Sequence, residues 1–170
     1  MKYRHVNGEL FYRMNTPKWA KNPTSGVGAA RAGGRFNRKG LEALYLSQDS
    51  ATAIAEYQQD EVIMPPGTLA AYHVSLFKVL DFSDGKLDPD FEISLEDWDC
   101  NWRQLLLLEE VEPPTWHVGD ILVAKGVAGL LFPSTRHQGG VNLVVYSQLL
   151  DGTEGWNVHV HDPDGKLSKM

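Results

Sequence analysis

Apolar and polar positions alternate in short runs along this chain, and few runs carry a helical period. LEALYLS (41–47) sets Leu41, Ala43, Tyr45 and Ser47 against Glu42, Leu44 and Leu46, the period-two signature of a strand. LFYRM (10–14) reads as a short strand, and TLAAYHVSLFKVLDF (68–82) as one long strand or two short ones. GVAGLLFPS (126–134) and VNLVVYSQLL (141–150) are nearly continuous apolar runs, the pattern of strands buried on both faces. WNVHVHD (156–162) fits a last edge strand. Three segments read as helices. QDSATAIAEYQQ (48–59) has Asp49 or Ser50 as N-cap, NWRQLLLLEE (101–110) is ended by Pro113 and Pro114, and TWHVGDILVAKG (115–126) has Thr115 as N-cap and Gly126 just past its end. Residues 15–40 are rich in Gly, Pro, Asn and Ser and read as a long ordered loop, a length that is usually functional inside a compact domain. Strands dominate without a regular βαβ alternation, so the pattern predicts an α+β fold with a mixed, largely antiparallel sheet. No repeat or linker interrupts the 170 residues, which read as a single domain over 1–170.

Charge changes this picture. The chain carries a formal net charge of −6, which argues against general binding to nucleic acid or membrane surfaces. That average hides a division. Residues 10–41 hold seven basic residues (Arg13, Lys18, Lys21, Arg31, Arg35, Arg38, Lys39) and no acid, and the remaining 138 residues carry nine basic against 22 acidic ones. The segment 81–99 alone has eight acids and a single base, Lys86, and reads as exposed loop and turn. A basic, glycine-rich loop in an acidic protein suits a local anion site, with the surrounding negative charge repelling other partners. No apolar run is long enough for a signal peptide or a bilayer span. The single cysteine, Cys100, cannot form an internal disulfide, so the expected compartment is a reducing cytoplasm.

Several motifs are weak on their own. GVGAAR (26–31) resembles the start of a dinucleotide fingerprint, but KNPTS precedes it where a strand is required and AGGRFNRKG follows where a helix is required. Phosphate could still be held there by backbone N–H groups and arginine side chains. His159 and His161 share one face of a strand, a spacing that suits two metal ligands, yet no matching Cys/His pair stands elsewhere, and an exposed edge strand is the simpler reading. Cys100 lies in the acidic region and reads as a structural thiol. Ser134 and His137 suggest a nucleophile pair, but there is no nucleophile elbow and no Asp placed to orient the histidine. Glu56 carries more weight. It sits on a helix among small neighbours, Thr52 and Ala53, one strand and turn away from the basic loop. If the strand runs back across that loop, Arg35, Tyr45 and Glu56 converge.

The run YRM…SGVGAARAGGRFNRKGLEALYLSQDSATAIAEYQ, with FPSTRHQGGVNLVVY downstream, resembles the RES-domain toxins of RES–Xre toxin–antitoxin pairs. The resemblance rests on Arg13 at a strand end, GGRFN (33–37), YLS (45–47), the glutamate of a helix, and a later PS followed by an asparagine. It spans roughly residues 10–147, and 81–125 carries no motif of the family. It implies a fold similar to diphtheria-toxin-like ADP-ribosyltransferases, NAD⁺ as substrate with no metal, and Arg35, Tyr45, Glu56 and Ser134 as catalytic positions. Arg13 with Tyr12, Asn142 and the more variable Arg31 would bind the nucleotide. It further implies cleavage of the nicotinamide–ribose bond, growth arrest by NAD⁺ depletion, and restraint by a cognate Xre-type helix-turn-helix antitoxin. The acceptor stays open between water, phosphate and a protein side chain, so mono-ADP-ribosylation of a protein is an alternative. A non-enzymatic nucleotide- or RNA-binding module is a second one.

Overall fold

The structure is a computed structural model and describes residues 2–86, 89–91 and 93–167. Six strands, β1 (Tyr3–Asn15), β2 (Ala43–Ser47), β3 (Thr68–Asp81), β4 (Gly129–Pro133), β5 (Val141–Tyr146) and β6 (Asn157–Val160), form one sheet in the order β1-β2-β5-β4-β3-β6. β1 also pairs with β3, so the first five close into a small barrel and β6 lies on the outer part of β3. Every pairing is antiparallel except β3 with β4. The expected α+β class with a largely antiparallel sheet is what the molecule has. No helix among the described residues is long and apolar enough to cross a membrane.

The first strand is longer than its sequence pattern predicts. β1 pairs with β3 from Tyr3↔Leu80 to Asn15↔Thr68, but the register shifts between Asn7 and Glu9. Gly8 sits there at φ +64°, a left-handed conformation natural to glycine. The irregularity breaks the period of two, so Val6 and Phe11, both buried, fall on opposite parities and the strand before Leu10 is hidden from a periodicity search. β3 is one continuous strand, with Ala70, Tyr72, Val74 and Leu76 buried.

Among the described residues, five short α-helices complete the fold: α1 (Val27–Ala32), α2 (Ser50–Gln58), α3 (Leu95–Trp98), α4 (Trp102–Leu107) and α5 (Thr115–Ala124). α1 lies inside the segment read as loop, and α5 starts one residue earlier than expected, with Pro114 rather than Thr115 as N-cap and Thr115 buried in its first turn. Asp49 caps α2, its carboxylate accepting the Thr52 N–H at 2.8 Å.

Two apolar clusters hold the layers. Phe11, Leu44, Leu46, Tyr72, Val74, Leu131, Leu143 and Val145 fill one. Phe36, Phe82, Phe91, Trp98, Val118, Leu122, Phe132 and Tyr146 pack in the other, which takes in α5. The acidic segment is therefore more than exposed loop. Phe82, Phe91 and Trp98 anchor it, with Phe82 edge-on to Phe91 at 5.5 Å and to Trp98 at 5.1 Å between ring centroids. Asp84, Glu96 and Asp99 stay exposed around these anchors, while Asp88 and Glu92 lie outside the described residues.

Candidate active site

The glycine-rich loop is held by its own Asn37 and by side chains from β2, α5 and β5. Asn37 is fully buried, and its Nδ2 donates to the carbonyls of Ala29 and Leu41, both at 3.0 Å. Its Oδ1 accepts from the Tyr45 hydroxyl at 2.8 Å, and that hydroxyl accepts the Phe36 N–H at 2.9 Å. Trp116 Nε1 donates to the Gly34 carbonyl at 2.7 Å, Thr115 Oγ1 to that of Arg35, and the Tyr146 hydroxyl to that of Phe36 at 3.1 Å. Three successive carbonyls are thus satisfied without regular secondary structure. The glycines make the fit possible. A Cβ on Gly34 would lie 2.4 Å from Asn37 Oδ1 and 2.7 Å from the Tyr45 hydroxyl. Burial pushes the Tyr45 phenol well above its ordinary pKa, against the opposing pull of the Phe36 N–H and Arg35, so it remains a hydrogen-bond donor at any physiological pH.

This cradle presents Arg35. The residue is 9 % exposed, and its guanidinium lies 5.1–5.7 Å from the ring centroids of Phe36, Trp98 and Phe132. Nη2 donates to the Trp98 carbonyl at 2.7 Å and lies 3.6 Å from the exposed Asp99 carboxylate. Nε is buried with no hydrogen-bond partner. Burial lowers its pKa, and the charges of the Asp99 and Glu56 carboxylates oppose that shift. Arg13 on β1 is lowered for the same first reason, with only the Tyr72 phenol opposing, and its Nη1 reaches the Pro23 carbonyl at 3.4 Å. Two desolvated guanidinium groups lacking a buried carboxylate partner make a site for an incoming anion.

Glu56 on α2 stands in the same space. Its Oε1 accepts from Ser134 Oγ at 2.7 Å and from Asn142 Nδ2 at 2.6 Å, which leaves Oε2 for a ligand. Both donors are themselves fixed. Asn142 Oδ1 accepts from Ser47 Oγ at 2.8 Å, and Ser134 Oγ accepts the N–H groups of Arg136 at 3.1 Å and His137 at 3.0 Å. His137 is no base for Ser134. Its Nδ1 lies 2.8 Å from Thr52 Oγ1, whose hydroxyl also bonds Asp49 at 2.6 Å, tying the 134–140 loop to the start of α2.

A cavity of about 520 Å³ gathers these groups. Tyr12, Arg13, Arg35, Tyr45, Glu56 and Asn142, far apart in sequence, all line it. Ser134 reaches the site through its bond to Glu56. Arg31 is exposed on the last turn of α1 and lies outside the lining. Arg38 forms a bidentate pair with Asp120, at 2.7–3.1 Å, away from this cavity. Sequence reasoning passed over other residues that line the cavity: Asp99, Asn101, Trp102 and Arg103, together with Arg136 and Tyr57. Cys100 lines it as well, and burial raises its pKa despite Arg35, so it stays a thiol. Asn37, inside the GGRFN motif, was also missed as the post that holds the loop. No three donors among the described residues are arranged around a metal position in this cavity.

Comparison with known proteins agrees with this architecture. A curated protein of Yersinia enterocolitica described as "Toxin Res" is 28% identical over 127 residues, covering 74% of this chain and 76% of that one. The crystal structure of the M. tuberculosis MbcT–MbcA toxin–antitoxin complex contains a chain with the same fold, at a TM-score of 0.57 and 20% identity, covering 98% of this chain and 92% of that chain. With the model of the RES domain matching residues 10–166, this chain belongs to the RES-domain family.

Proposed function

We propose that this chain is the toxin of a toxin–antitoxin pair and that it breaks the nicotinamide–ribose bond of NAD⁺. One observation carries the reading: a glutamate held at one oxygen by Ser134 and Asn142, in a cavity that also contains the desolvated guanidinium groups of Arg13 and Arg35. The relatives described as toxins support the first half of the proposal.

The chemistry follows from the substrate. Nicotinamide is a cationic leaving group in NAD⁺ and departs without protonation. Cleavage leaves positive charge on the ribose, as in glycoside hydrolysis. Glu56, fixed through Oε1, would turn Oε2 to a ribose hydroxyl and stabilise that charge as it develops. Arg35 and Arg13 would hold the pyrophosphate, whose oxygens give the Arg35 Nε–H the acceptor it lacks and displace Asp99. The Tyr45 ring, which also lines the cavity, would orient the nicotinamide end. Depletion of NAD⁺ would arrest growth, and a cognate Xre-type antitoxin would restrain it.

The test is direct. Purified protein incubated with NAD⁺ should release nicotinamide, and Glu56→Ala should lose that activity while keeping the fold. NAD⁺ consumption by Glu56→Ala at the wild-type rate would refute the assignment. Arg35→Lys should fail too, because a point charge cannot replace the planar fork. Cell extract with labelled NAD⁺ identifies the acceptor: free ADP-ribose or its phosphorylated form means degradation, and one labelled protein band means transfer.

A further inference from the structure

His159 and His161 meet in the structure a third histidine from far away in the sequence. His73 on β3 pairs directly with His159 on β6, and the ladder continues beyond β6 with the His161 N–H bonded to the Ala71 carbonyl at 2.7 Å. Three of the six histidines of the chain thereby meet on the outer face of the β3–β6 ribbon, and none of the three lines the cavity. His73 Nε2 and His161 Nδ1 are 3.0 Å apart. The His159 ring stacks on that of His73, at 5.1 Å and 23°. Nothing in the proposed reaction uses this cluster.

We propose that these histidines bind a divalent late transition-metal ion such as Zn²⁺ or Ni²⁺, with His73 Nε2 and His161 Nδ1 as its first two ligands. Two imidazole nitrogens on one tetrahedral zinc, each about 2.0–2.1 Å from it, stand ~3.3 Å apart. The observed pair needs to open by only a few tenths of an ångström. Each neutral ring can present a bare nitrogen by carrying its proton on the other one, so the proton now shared between the rings moves to a remote ring nitrogen or to water. The rings are not yet gathered as a three-ligand set. His159 is exposed, and a turn about its side-chain bonds brings it from the stacked position towards the metal as the third ligand. Water completes the shell. An all-imidazole donor set favours zinc, nickel or copper and excludes magnesium and calcium, which require oxygen. The bound ion would fasten β6, an edge strand paired to the barrel through only four residues, to β3.

Calorimetric titration of tag-free protein with Zn²⁺, Ni²⁺ and Mg²⁺ tests this. Zn²⁺ and Ni²⁺ should each bind at one equivalent per chain and raise the melting temperature, and Mg²⁺ should do neither. His73→Gln and His161→Gln should each weaken Zn²⁺ binding at least about tenfold, a loss no smaller than that for a residue that merely orients a ligand. His117→Gln, on the exposed face of α5, should leave binding unchanged. Circular dichroism of the metal-free variants verifies their fold, and His161→Ala at the exposed end of the cluster replaces any variant that fails. Absence of saturable Zn²⁺ binding, binding undiminished in the His73/His161 variants, or an equal loss in His117→Gln would each overturn the proposal.

Discussion

Replacing Tyr45 by Phe removes one oxygen from the wall of the cavity and leaves the ring. That oxygen accepts the Phe36 N–H at 2.9 Å and donates to Asn37 Oδ1 at 2.8 Å. Phe36 and Asn37 are fully buried, so no water replaces the lost partner. Each group left unsatisfied costs about 1–3 kcal/mol, so the pair predicts a loss of about 2–6 kcal/mol. With a urea slope of about 2 kcal/mol/M for a chain of this size, the unfolding midpoint should fall by about 1–3 M with the slope unchanged. Tyr12→Phe is the control, because Tyr12 lines the same cavity and its hydroxyl holds no part of the loop. NAD⁺ cleavage by Tyr45→Phe should fall as well, since the loop that carries Arg35 loses its post, while the ring that would meet nicotinamide is still there. A midpoint shift below about 0.3 M would refute the view that the hydroxyl holds the loop.

Other perturbations separate the roles of the neighbouring residues. Gly34→Ala puts a methyl group into Asn37 Oδ1 and the Tyr45 hydroxyl, and should destabilise by about 1–3 kcal/mol in the same urea assay. Ser134→Ala deletes the donor to Glu56 and the acceptor of two backbone N–H groups, and should lower kcat for NAD⁺ cleavage about 10- to 100-fold, more than it raises KM. Alkaline stability should fall as pH rises above about 10. Burial raises the phenol pKa values of Tyr45, Tyr72 and Tyr146 in the folded state, so there the folded chain holds more protons than the unfolded one; urea midpoints at pH 8, 10 and 11 read this directly. At the acid end the sign reverses. Asp49, lowered chiefly by its bonds to Thr52, contributes stability above the unfolded carboxylate pKa of about 4 and loses it as pH falls below, a loss that Asp49→Asn should abolish.

What the sequence reveals is what breaks its own apolar pattern. GGRFN, the YLS strand and the glutamate of α2 stand out because glycines, charges and a cap interrupt strand-like runs, and Arg13, Arg35, Tyr45 and Glu56 do line one cavity. Residues that act through packing or through another side chain left no such mark. Arg31 and Arg35 look equivalent in RAGGR, but α1 turns the first outwards while the cradle draws the second in. The lining residues from Asp99 to Arg103 were hidden at the junction of a helical segment with an acidic run whose anchors, Phe82, Phe91 and Trp98, are too widely spaced to show a period. Gly8 concealed half of β1 by shifting its register. His73 could not be joined to His159 and His161 without knowing that β6 pairs with β3.

The position of Arg35 explains why so much of the fold converges on one loop. Burying a guanidinium against three aromatic rings costs several kcal/mol before any compensation, and an exposed Asp99 at 3.6 Å returns little of it. A flexible loop would relax and return the charge to water. Here it cannot, because the Gly34, Arg35 and Phe36 carbonyls are bonded to Trp116, Thr115 and Tyr146, and the Phe36 N–H to Tyr45. Gly119 lets α5 close directly onto the loop, since a Cβ there would lie 2.1 Å from the Phe36 carbonyl oxygen. The stability of the two apolar clusters is thus used to keep a cation desolvated, with its Nε–H unpartnered, beside a carboxylate fixed at one oxygen. An anion bound there recovers the solvation that Arg35 lost on folding, which is why a negatively charged ligand is favoured in a cavity inside an otherwise acidic protein.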